Sequence, residues 1–451
     1  MPGLPDPNAG FGVATLIHIL RSQLITKLPY PDGDYTDKTV IISGSNVGLG
    51  KEAARHYVRL GVKKLILAVR SVEKGEAAKK DFQSTNPSSP TTIEIWKLDM
   101  ASYASVKSFA KRADGLDRLD ICIANAGLVQ YEWSNAEDNE TTITVNVVST
   151  FLLTALLLPK MRQTAKQYST QPTFTITSSG AHSFTTFPQK SAPEGELFNT
   201  INDEKDVANF KQQYPLSKLL EIYAVRSIAD KHPNPVVPVN CVDPGLCYSD
   251  LAKDAGWGVY LLKVALARTT EYGSRTLFHA AEQGKDSHGG YYSDCRLSDP
   301  APLVTSEEGK KVQERVWTEL TAKLEKIQPG VTKNFGDGRS LSSSPIDTGL
   351  PGGPTIHRRH KVIDLFDVLV GTAPNQNYFE LHTFLFYDRS VYFRKHLDAG
   401  TNPAIPNTTP TVFGAYLTLA YGQSVTAALR SLADNDDAPA LRLIDTYNPA
   451  Y

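Results

Sequence analysis

Residues 39–69 read TVIISGSNVGLGKEAARHYVRLGVKKLILAV, and this stretch decides the fold class. Two apolar runs rich in β-branched residues, TVIIS (39–43) and KLILAV (64–69), flank a helical pattern that continues to Leu60. Apolar runs without alternation are typical of strands buried on both faces of a parallel sheet. The stretch therefore predicts the first strand–helix–strand unit of an α/β protein.

The same alternation of strand and helix continues along the chain. Further strands are predicted at 92–99, 120–125, 173–179, 236–243 and 289–294, and helices at 72–82, 102–113, 214–229 and 306–327. Ser306 is a suitable N-cap for the last of these helices. The pattern predicts a doubly wound parallel sheet of the Rossmann type with helices on both faces.

Composition bounds the class of protein. The 451 residues are 41% hydrophobic and 21% charged, and the formal net charge is −1, which favours neither nucleic acid nor another charged partner. The four cysteines, Cys122, Cys241, Cys247 and Cys295, are too scattered for a disulfide framework or a zinc site. We expect reduced thiols, a cytoplasmic protein and no bound metal.

The domain organisation follows from shifts in composition. Residues 334–360 are rich in Gly, Ser and Pro, which is typical of a linker. The predicted segments are an N-terminal helical extension (1–37), an α/β domain (38–331), a linker (332–360) and a small C-terminal unit (361–451). Within the extension, residues 11–28 have apolar residues at helical spacing and lack the features of a secretory signal. This helix either packs on protein, its own or a partner's, or lies on a membrane surface.

A glycine-rich turn follows the first strand. Gly44, Gly48 and Gly50 would let backbone amides approach a pyrophosphate at a helix N-terminus. Arg70 follows the second strand, where a cation favours the 2′-phosphate of NADP over the ribose of NAD. The other expected contacts of this nucleotide lie in the turn and at the ends of later strands: Asn46, Val47, Leu49, Asp99, Met100, Asn125, Ala126, Gly127, Pro244, Gly245, Cys247 and Ser249.

A second group of residues predicts proton transfer. Tyr214 and Lys218 are four residues apart, hence on one face of a helix, and the cation would favour the phenolate. A phenol adjusted in this way can exchange a proton with an alcohol or carbonyl oxygen while a hydride moves. Ser179, at the end of the fifth strand, would orient that oxygen, and the Asn146 amide could hold a water molecule near Lys218.

These motifs together resemble the short-chain dehydrogenase/reductase family. The resemblance covers residues 38–331 and rests on SGSNVGLG, ANAG (124–127), Ser179, YPLSK (214–218) and the Pro244–Gly245 turn. It is similar to the retinol-dehydrogenase-like branch, especially its fungal members. The resemblance implies NADP(H)-dependent interconversion of an alcohol and a carbonyl, with Asn146, Ser179, Tyr214 and Lys218 as the catalytic tetrad. Tyr214 and Lys218 would also contact the cofactor.

The sequence leaves several alternatives open. ANAG replaces the family's NNAG, and a segment inserted at 182–211 is either a substrate lid or a surface loop. Apolar helices after Pro244 (257–267) favour a hydrophobic alcohol or ketone, of polyketide or terpenoid size. The rival functions are a scaffold with an inactive dehydrogenase fold and a non-redox isomerase.

The C-terminal unit resembles the core of a BTB/POZ domain. The resemblance rests on VLVG, F-x-L-H, S-x-Y-F-R (390–394) and F-x-x-Y-L-x-x-x-Y (413–421), with a strand expected at 367–371 and helices after His382 and at 413–421. It implies a small α+β domain that mediates homo-oligomerisation or binds a protein partner. The alternative is a helical appendage without a partner.

Overall fold

The structure is a computed structural model, and the chain divides into two compact units, Met1–Asp337 and Gly338–Tyr451. In the first unit the structure describes residues 21–130, 132–205, 212–248 and 266–336. In the second it describes the backbone of three strands, at 365–370, 377–382 and 404–405.

The first unit contains an eight-stranded sheet. Its strands are β1 (Thr39–Ser43), β2 (Lys64–Val69), β3 (Thr92–Lys97), β4 (Ile121–Ala124), β5 (Thr173–Thr177), β6 (Val239–Asp243), β7 (Tyr291–Ser293) and β8 (Arg296–Ser298). Their order across the sheet is β8-β7-β6-β5-β4-β1-β2-β3. Strands β1 to β7 pair in parallel, which confirms the predicted Rossmann-type sheet. The antiparallel edge strand β8 was not predicted, because RLS is short and mostly exposed.

Within the described residues of this unit, seven longer helices connect and cover the strands. They are α1 (Gly48–Arg59), α2 (Val72–Thr85), α3 (Tyr103–Asp114), α4 (Thr141–Tyr168), α5 (Gln213–Lys231), α6 (Thr270–Ala281) and α7 (Glu307–Ile327). Short helical segments lie at Gly180–Phe184, Pro188–Ser191, Leu197–Ile201, Lys285–Ser287, Pro302–Thr305 and Val331–Phe335, and a two-stranded ribbon pairs Asn135–Ala136 with Asn139–Glu140. Ser306 Oγ accepts a hydrogen bond from Gly309 N at 3.0 Å, so the predicted N-cap of α7 is confirmed.

The core is divided by the sheet into two layers. Along β1, Ile41 packs into one apolar cluster with α3, α4, α5 and α7, whereas Val40 and Ile42 pack into the other with α1, α2 and α6. Alternate side chains of a strand point to opposite faces, so a strand covered on both faces must be apolar throughout. This geometry explains the continuous apolar runs in the sequence.

Helix α4 is long and apolar enough to cross a membrane, but 94% of its most apolar window is buried inside the protein. It packs against α3 and the sheet, and its apolar residues belong to the larger core cluster. Its composition is therefore explained by burial within the domain.

The described part of the N-terminal extension packs on the first unit. Leu24 and Leu28 are buried, Leu28 N donates to Tyr272 Oη at 2.7 Å, and Arg275 Nη1 donates to Leu28 O at 3.2 Å. Of the two alternatives for residues 11–28, these contacts favour packing on the protein's own surface for residues 21–28. Residues 11–20 lie outside the described part of the chain.

The second unit contains a three-stranded sheet. Strand β9 (Leu365–Val370) pairs antiparallel with β10 (Asn377–His382) and in parallel with β11 (Ala404–Ile405). The predicted strand at 367–371 therefore overlaps an observed strand, shifted by one or two residues. The expected BTB/POZ helices after His382 and at 413–421 lie outside the described residues.

Candidate active site

A cleft of about 2130 Å³ opens along the carboxyl ends of the parallel strands. The sheet order reverses between β4 and β1, and a crevice at this switch point is where open α/β sheets bind their ligands. The cleft is lined by the turn after β1, by the ends of β2 to β7 and by the start of α5.

The glycine-rich turn is held against the end of β4. Ser43 Oγ accepts hydrogen bonds from Asn125 N at 3.0 Å and Ala126 N at 2.8 Å, and Asn125 Nδ2 donates to Ser43 O at 3.0 Å. A Cβ on Gly44 would lie 3.0 Å from Ala126 Cα, and one on Gly50 would lie 2.6 Å from Gly44 O. Glycine is required here because the turn and β4 are in backbone contact.

The turn leaves the N-terminus of α1 available to an anion. The N-cap position is occupied by Val47, which makes no side-chain capping bond, and the first turn contains no acidic residue. Gly48 has φ +62°, and a Cβ there would meet nothing within 4 Å. Gly48 is therefore needed for its backbone conformation, and there is open space beside it. Because the helix start also has no capping side chain, its backbone amides are available to bind a pyrophosphate.

Two cations line the cleft after β2. Arg70 is exposed at the end of the strand, and Lys74 lies one turn into α2, whose N-cap Ser71 accepts a hydrogen bond from Lys74 N at 3.3 Å. Sequence analysis identified Arg70 but missed Lys74. The feature of the sequence that could have identified Lys74 is its position four residues after Arg70, across the junction of β2 and α2.

The structure brings most of the predicted site residues to this one cleft. The predicted residues that line it are Gly44, Asn46, Val47, Gly48, Leu49, Arg70, Asp99, Met100, Asn125, Ala126, Gly127, Ser179, Tyr214, Lys218, Pro244, Gly245 and Cys247. Gly50 and Asn146 do not line it: each is buried behind the cleft surface. Ser249 lies outside the described residues.

The proton-transfer residues meet at the start of α5. Tyr214 and Ser179 line the same cleft, and Lys218 Nζ lies 5.6 Å from the centre of the Tyr214 ring. Burial raises the pKa of Tyr214, while Lys218 and the Ser179 hydroxyl act in the opposite direction. The Glu221 and Asp243 carboxylates add to the upward shift. Tyr214 is thus suited to act as a general acid whose pKa is adjusted by neighbouring charges and by burial.

Lys218 is 4% exposed and has two protein partners. Its Nζ donates to Thr177 O at 2.9 Å and to Glu221 Oε1 at 2.8 Å. Burial acts to lower the pKa of Lys218, but Glu221, Tyr214 and Cys241 together outweigh it, and the pKa is raised. Lys218 therefore stays charged in an enclosed position, which is what a residue that stabilises a phenolate needs. Glu221 was not identified from the sequence.

The side chain of Asn146 forms hydrogen bonds with the chain after β4 and with α5. It lies in a π-helical turn of α4 (Thr144–Val148), where Oδ1 accepts from Leu128 N at 3.0 Å and Nδ2 donates to Leu128 O and Ser217 Oγ. A Cβ on Gly127 would lie 3.2 Å from Asn146 Oδ1 and 3.7 Å from Lys218 Nζ. Asn146 thus holds the chain after β4 close to Lys218.

His182 connects Ser179 to the far wall of the cleft. Its Nε2 accepts a hydrogen bond from Ala301 N at 2.9 Å, so its Nδ1 carries the hydrogen and donates to Ser179 O at 2.8 Å. Burial lowers the pKa of His182, which favours this neutral form. The imidazole therefore fixes the backbone of Ser179 relative to residues 300–303, which line the cleft.

The turn after β6 is fixed by a fully buried arginine. Arg268 Nη1 donates to Pro244 O at 3.2 Å, and its Nη2 donates to Ser22 O at 2.7 Å and forms an ion pair with Asp294. Gly245 has φ +75°, and a Cβ there would lie 2.7 Å from Arg268 Nη1. The N-terminal extension is thus attached to the Pro244 turn.

The extension also forms part of the cleft wall, through Arg21, Ser22, Gln23 and Thr26. Sequence analysis missed this contribution because nothing in a local pattern connects residue 22 with residues 268 and 294.

The inserted segment (182–211) also contributes to the wall of the cleft. Residues 183–186 and Lys190 line the cleft, and residues 206–211 of the segment lie outside the described residues. The first part of the insertion is therefore wall rather than remote surface loop. Within the described part of the chain, no group of three His, Cys, Asp or Glu residues is placed to hold a metal ion.

Comparison with known proteins agrees with this geometry. The short chain dehydrogenase family model matches residues 38–180. The short chain dehydrogenase/reductase dmxR8 of Cryptosporiopsis sp. is 59% identical over 321 residues, covering 70% of this chain and 99% of that protein. The short-chain dehydrogenase anuD of Penicillium roqueforti is 39% identical over 337 residues, covering 72% and 87% respectively.

Among solved structures, salutaridine reductase from Papaver somniferum is similar with a TM-score of 0.45 and 19% identity, covering 57% of this chain and 99% of that one. The relative with 59% identity over nearly its full length decides the assignment: the chain belongs to the short-chain dehydrogenase/reductase family, a family of oxidoreductases.

Proposed function

We propose that this protein interconverts an alcohol and a carbonyl on a hydrophobic small molecule, with NADP(H) as hydride carrier. One observation carries the proposal: Tyr214, Ser179 and Lys218 meet on the wall of the same cleft as the glycine-rich turn. A nucleotide held by that turn would extend along the strand ends towards Tyr214. The bound nicotinamide would supply or accept the hydride.

The chain's own residues have separate roles in this proposal. Tyr214 donates a proton to the substrate oxygen in reduction and removes one in oxidation. The Ser179 hydroxyl hydrogen-bonds that same oxygen, and His182 holds the backbone carbonyl of Ser179. Lys218 stabilises the phenolate that remains after proton donation, and its unpaired donor is available to a ribose hydroxyl. Asn146 positions residues 127–128 beside Lys218.

The preference for NADP(H) is supported by charge. Arg70 and Lys74 both line the cleft where β2 ends, and no acidic residue after β2 lines it. Two cations favour a 2′-phosphate, whereas a ribose hydroxyl is held by a carboxylate. Arg70→Asp should raise the NADPH dissociation constant at least about tenfold, because one charge-assisted hydrogen bond contributes about 1.5–3 kcal/mol. Fluorescence titration measures it, and equal affinities in variant and wild type would contradict the assignment.

The chemical role is tested by Tyr214→Phe, which removes the proton donor and retains the ring. Turnover of a ketone panel, followed as NADPH absorbance, should fall by about 10² or more, while NADPH affinity stays near wild type. Tyr223→Phe is the matched control: Tyr223 lies on the same helix, and its hydroxyl only donates to Leu303 O at 3.1 Å. Wild-type turnover in Tyr214→Phe would contradict the role of Tyr214 as proton donor, whereas an unmutated protein without turnover on any ketone would support the inactive-scaffold alternative.

The substrate class is supported by apolar residues that line the cleft. They include Leu128, Val129, Val145, Phe184 and Leu303, which suit an apolar body of polyketide or terpenoid size and a role in secondary metabolism. The apolar stretch at 257–265, expected to complete this pocket, lies outside the described residues.

For the second unit we propose a BTB/POZ-like interaction domain that mediates self-association or binds another protein. A hairpin of β9 and β10 with a parallel third strand supports a small α+β unit, since a parallel pair needs a long crossover.

We further propose a cytoplasmic location with membrane-surface contact through residues 11–20. Four free cysteines, three of them buried, support the compartment.

A further inference from the structure

Glu221 is a buried carboxylate to which the proposed chemistry assigns no task. It lies three residues after Lys218 on α5, and its side chain is 2% exposed. Carboxylates are almost never fully buried unless they are paired, because leaving water is costly for a charge. Glu221 is paired with Lys218, the residue that controls the phenol.

The pair orients the ammonium group. An ammonium has three donors, and two of them are used within the protein, by Thr177 O at 2.9 Å and Glu221 Oε1 at 2.8 Å. Because these two acceptors fix the group, the third donor faces the cleft that Lys218 lines. Glu221 thus acts on the site through Lys218 and has no direct contact with a substrate.

The pair also changes the charge that Tyr214 experiences. An isolated ammonium 5.6 Å from the phenol ring would strongly favour the phenolate. With Glu221 ionised, the pair has no net charge, and this stabilisation is partly cancelled. Burial raises the pKa of Glu221 to about 7, with Lys218 opposing, so the compensation is present mainly above neutral pH.

We propose that Glu221 is a positioning residue that neutralises Lys218 and holds Tyr214 in its protonated form, so that the site favours carbonyl reduction over alcohol oxidation. The inference rests on the proposed function. In reduction, the carbonyl carbon gains a hydride from the reduced nicotinamide and the oxygen gains the Tyr214 proton. The carbonyl becomes an alcohol, the nicotinamide is oxidised, and Tyr214 regains a proton from water.

Other titratable groups surround this pair. Asp243, at the end of β6, raises the pKa of Tyr214 in the same sense as Glu221. The Cys241 thiol on β6 interacts with both members of the pair and with Arg226, and Tyr291 on β7 interacts with Asp243 and Cys241. Each of these side chains is retained when Glu221 alone is substituted, so the difference between the variants originates from the Glu221 charge.

The test is Glu221→Gln, which keeps the shape and removes the charge. Tyrosinate absorbance of the protein without cofactor is followed against pH, and the signal of the same protein with Tyr214→Phe is subtracted. We expect the Tyr214 midpoint to move down by about one pH unit. The pH at which oxidation reaches half its maximal kcat should move by the same amount. Below pH 7, where Glu221 is itself protonated, the two proteins should converge.

Two variants serve as controls. Glu314→Gln on α7 removes an exposed ion pair with Lys231, which lies on α5 as Glu221 does, and should leave the profile unchanged. Glu221→Asp keeps the charge and should restore most of the wild-type profile.

An unchanged Tyr214 midpoint in folded Glu221→Gln would overturn the inference. If that variant does not fold, Glu221→Met, which also removes the charge, is measured in the same way: a lowered Tyr214 midpoint supports the inference, and an unchanged one overturns it. Failure of the proposed function is distinguishable, because Tyr214→Phe would then keep its turnover.

Discussion

Arg268→Met removes the centre of a buried network that joins three distant parts of the chain. Arg268 is fully buried and Asp294 is 2% exposed, so the substitution leaves a carboxylate with Ser22 Oγ at 2.8 Å and the more distant Arg296 at 3.8 Å. Breaking one side of a buried ion pair costs about 3–5 kcal/mol, against a total stability of about 5–15 kcal/mol for a domain. The carbonyl of Ser22 also loses its Arg268 donor, and that of Pro244 keeps only the Cys247 thiol at 3.5 Å.

Urea unfolding followed by circular dichroism measures this loss as a decrease in the free energy of unfolding of about 3–5 kcal/mol. Cofactor affinity should fall as well, since Arg268 holds both the Pro244 turn and residues 21–28 at the cleft. Arg296→Met is the matched control: it makes the same substitution towards the same carboxylate, but Arg296 is 59% exposed and should cost less than about 1 kcal/mol. If the two variants were equally stable, the reasoning would be refuted.

Two further predictions concern the turn and the domain end. Gly50→Ala should cost about 1–3 kcal/mol and weaken NADPH binding, because its Cβ would lie 2.5 Å from Asn125 Nδ2 and 2.6 Å from Gly44 O. Gly48→Ala meets no atom and should cost only about 1 kcal/mol, for its positive φ; calorimetry of both variants should reproduce this order. A chain ending after Asp337 should stay folded and bind NADPH, whereas one ending after Gly330 should lose about 3–5 kcal/mol with the buried Phe335, which packs on Trp317; thermal unfolding compares them.

The predicted elements agree closely with the structure where local periodicity decides them. TVIIS and KLILAV form β1 and β2 at the predicted residues, and α7 begins after Ser306 as expected. In each case the order of buried and exposed residues within one strand or helix shows which element it is, so residues close together in the sequence are enough to predict it. Residues 332–335, assigned from composition to the linker, belong to the helical turn Val331–Phe335, which packs on the first unit, since Asn334 O accepts a hydrogen bond from Arg162.

In the candidate site, too, some features are predicted from local sequence and others depend on the folded chain. The motifs at the ends of predicted parallel strands were enough to place Gly44, Ser179 and Tyr214 at one edge of the sheet. Which charges meet depends on the folded chain: Arg268 pairs with Asp294, and Lys218 pairs with the buried Glu221. A glutamate in a helix has the same local pattern whether it faces water or an ammonium. Its burial depends on strands and loops that are distant in sequence and reach it only when the chain has folded.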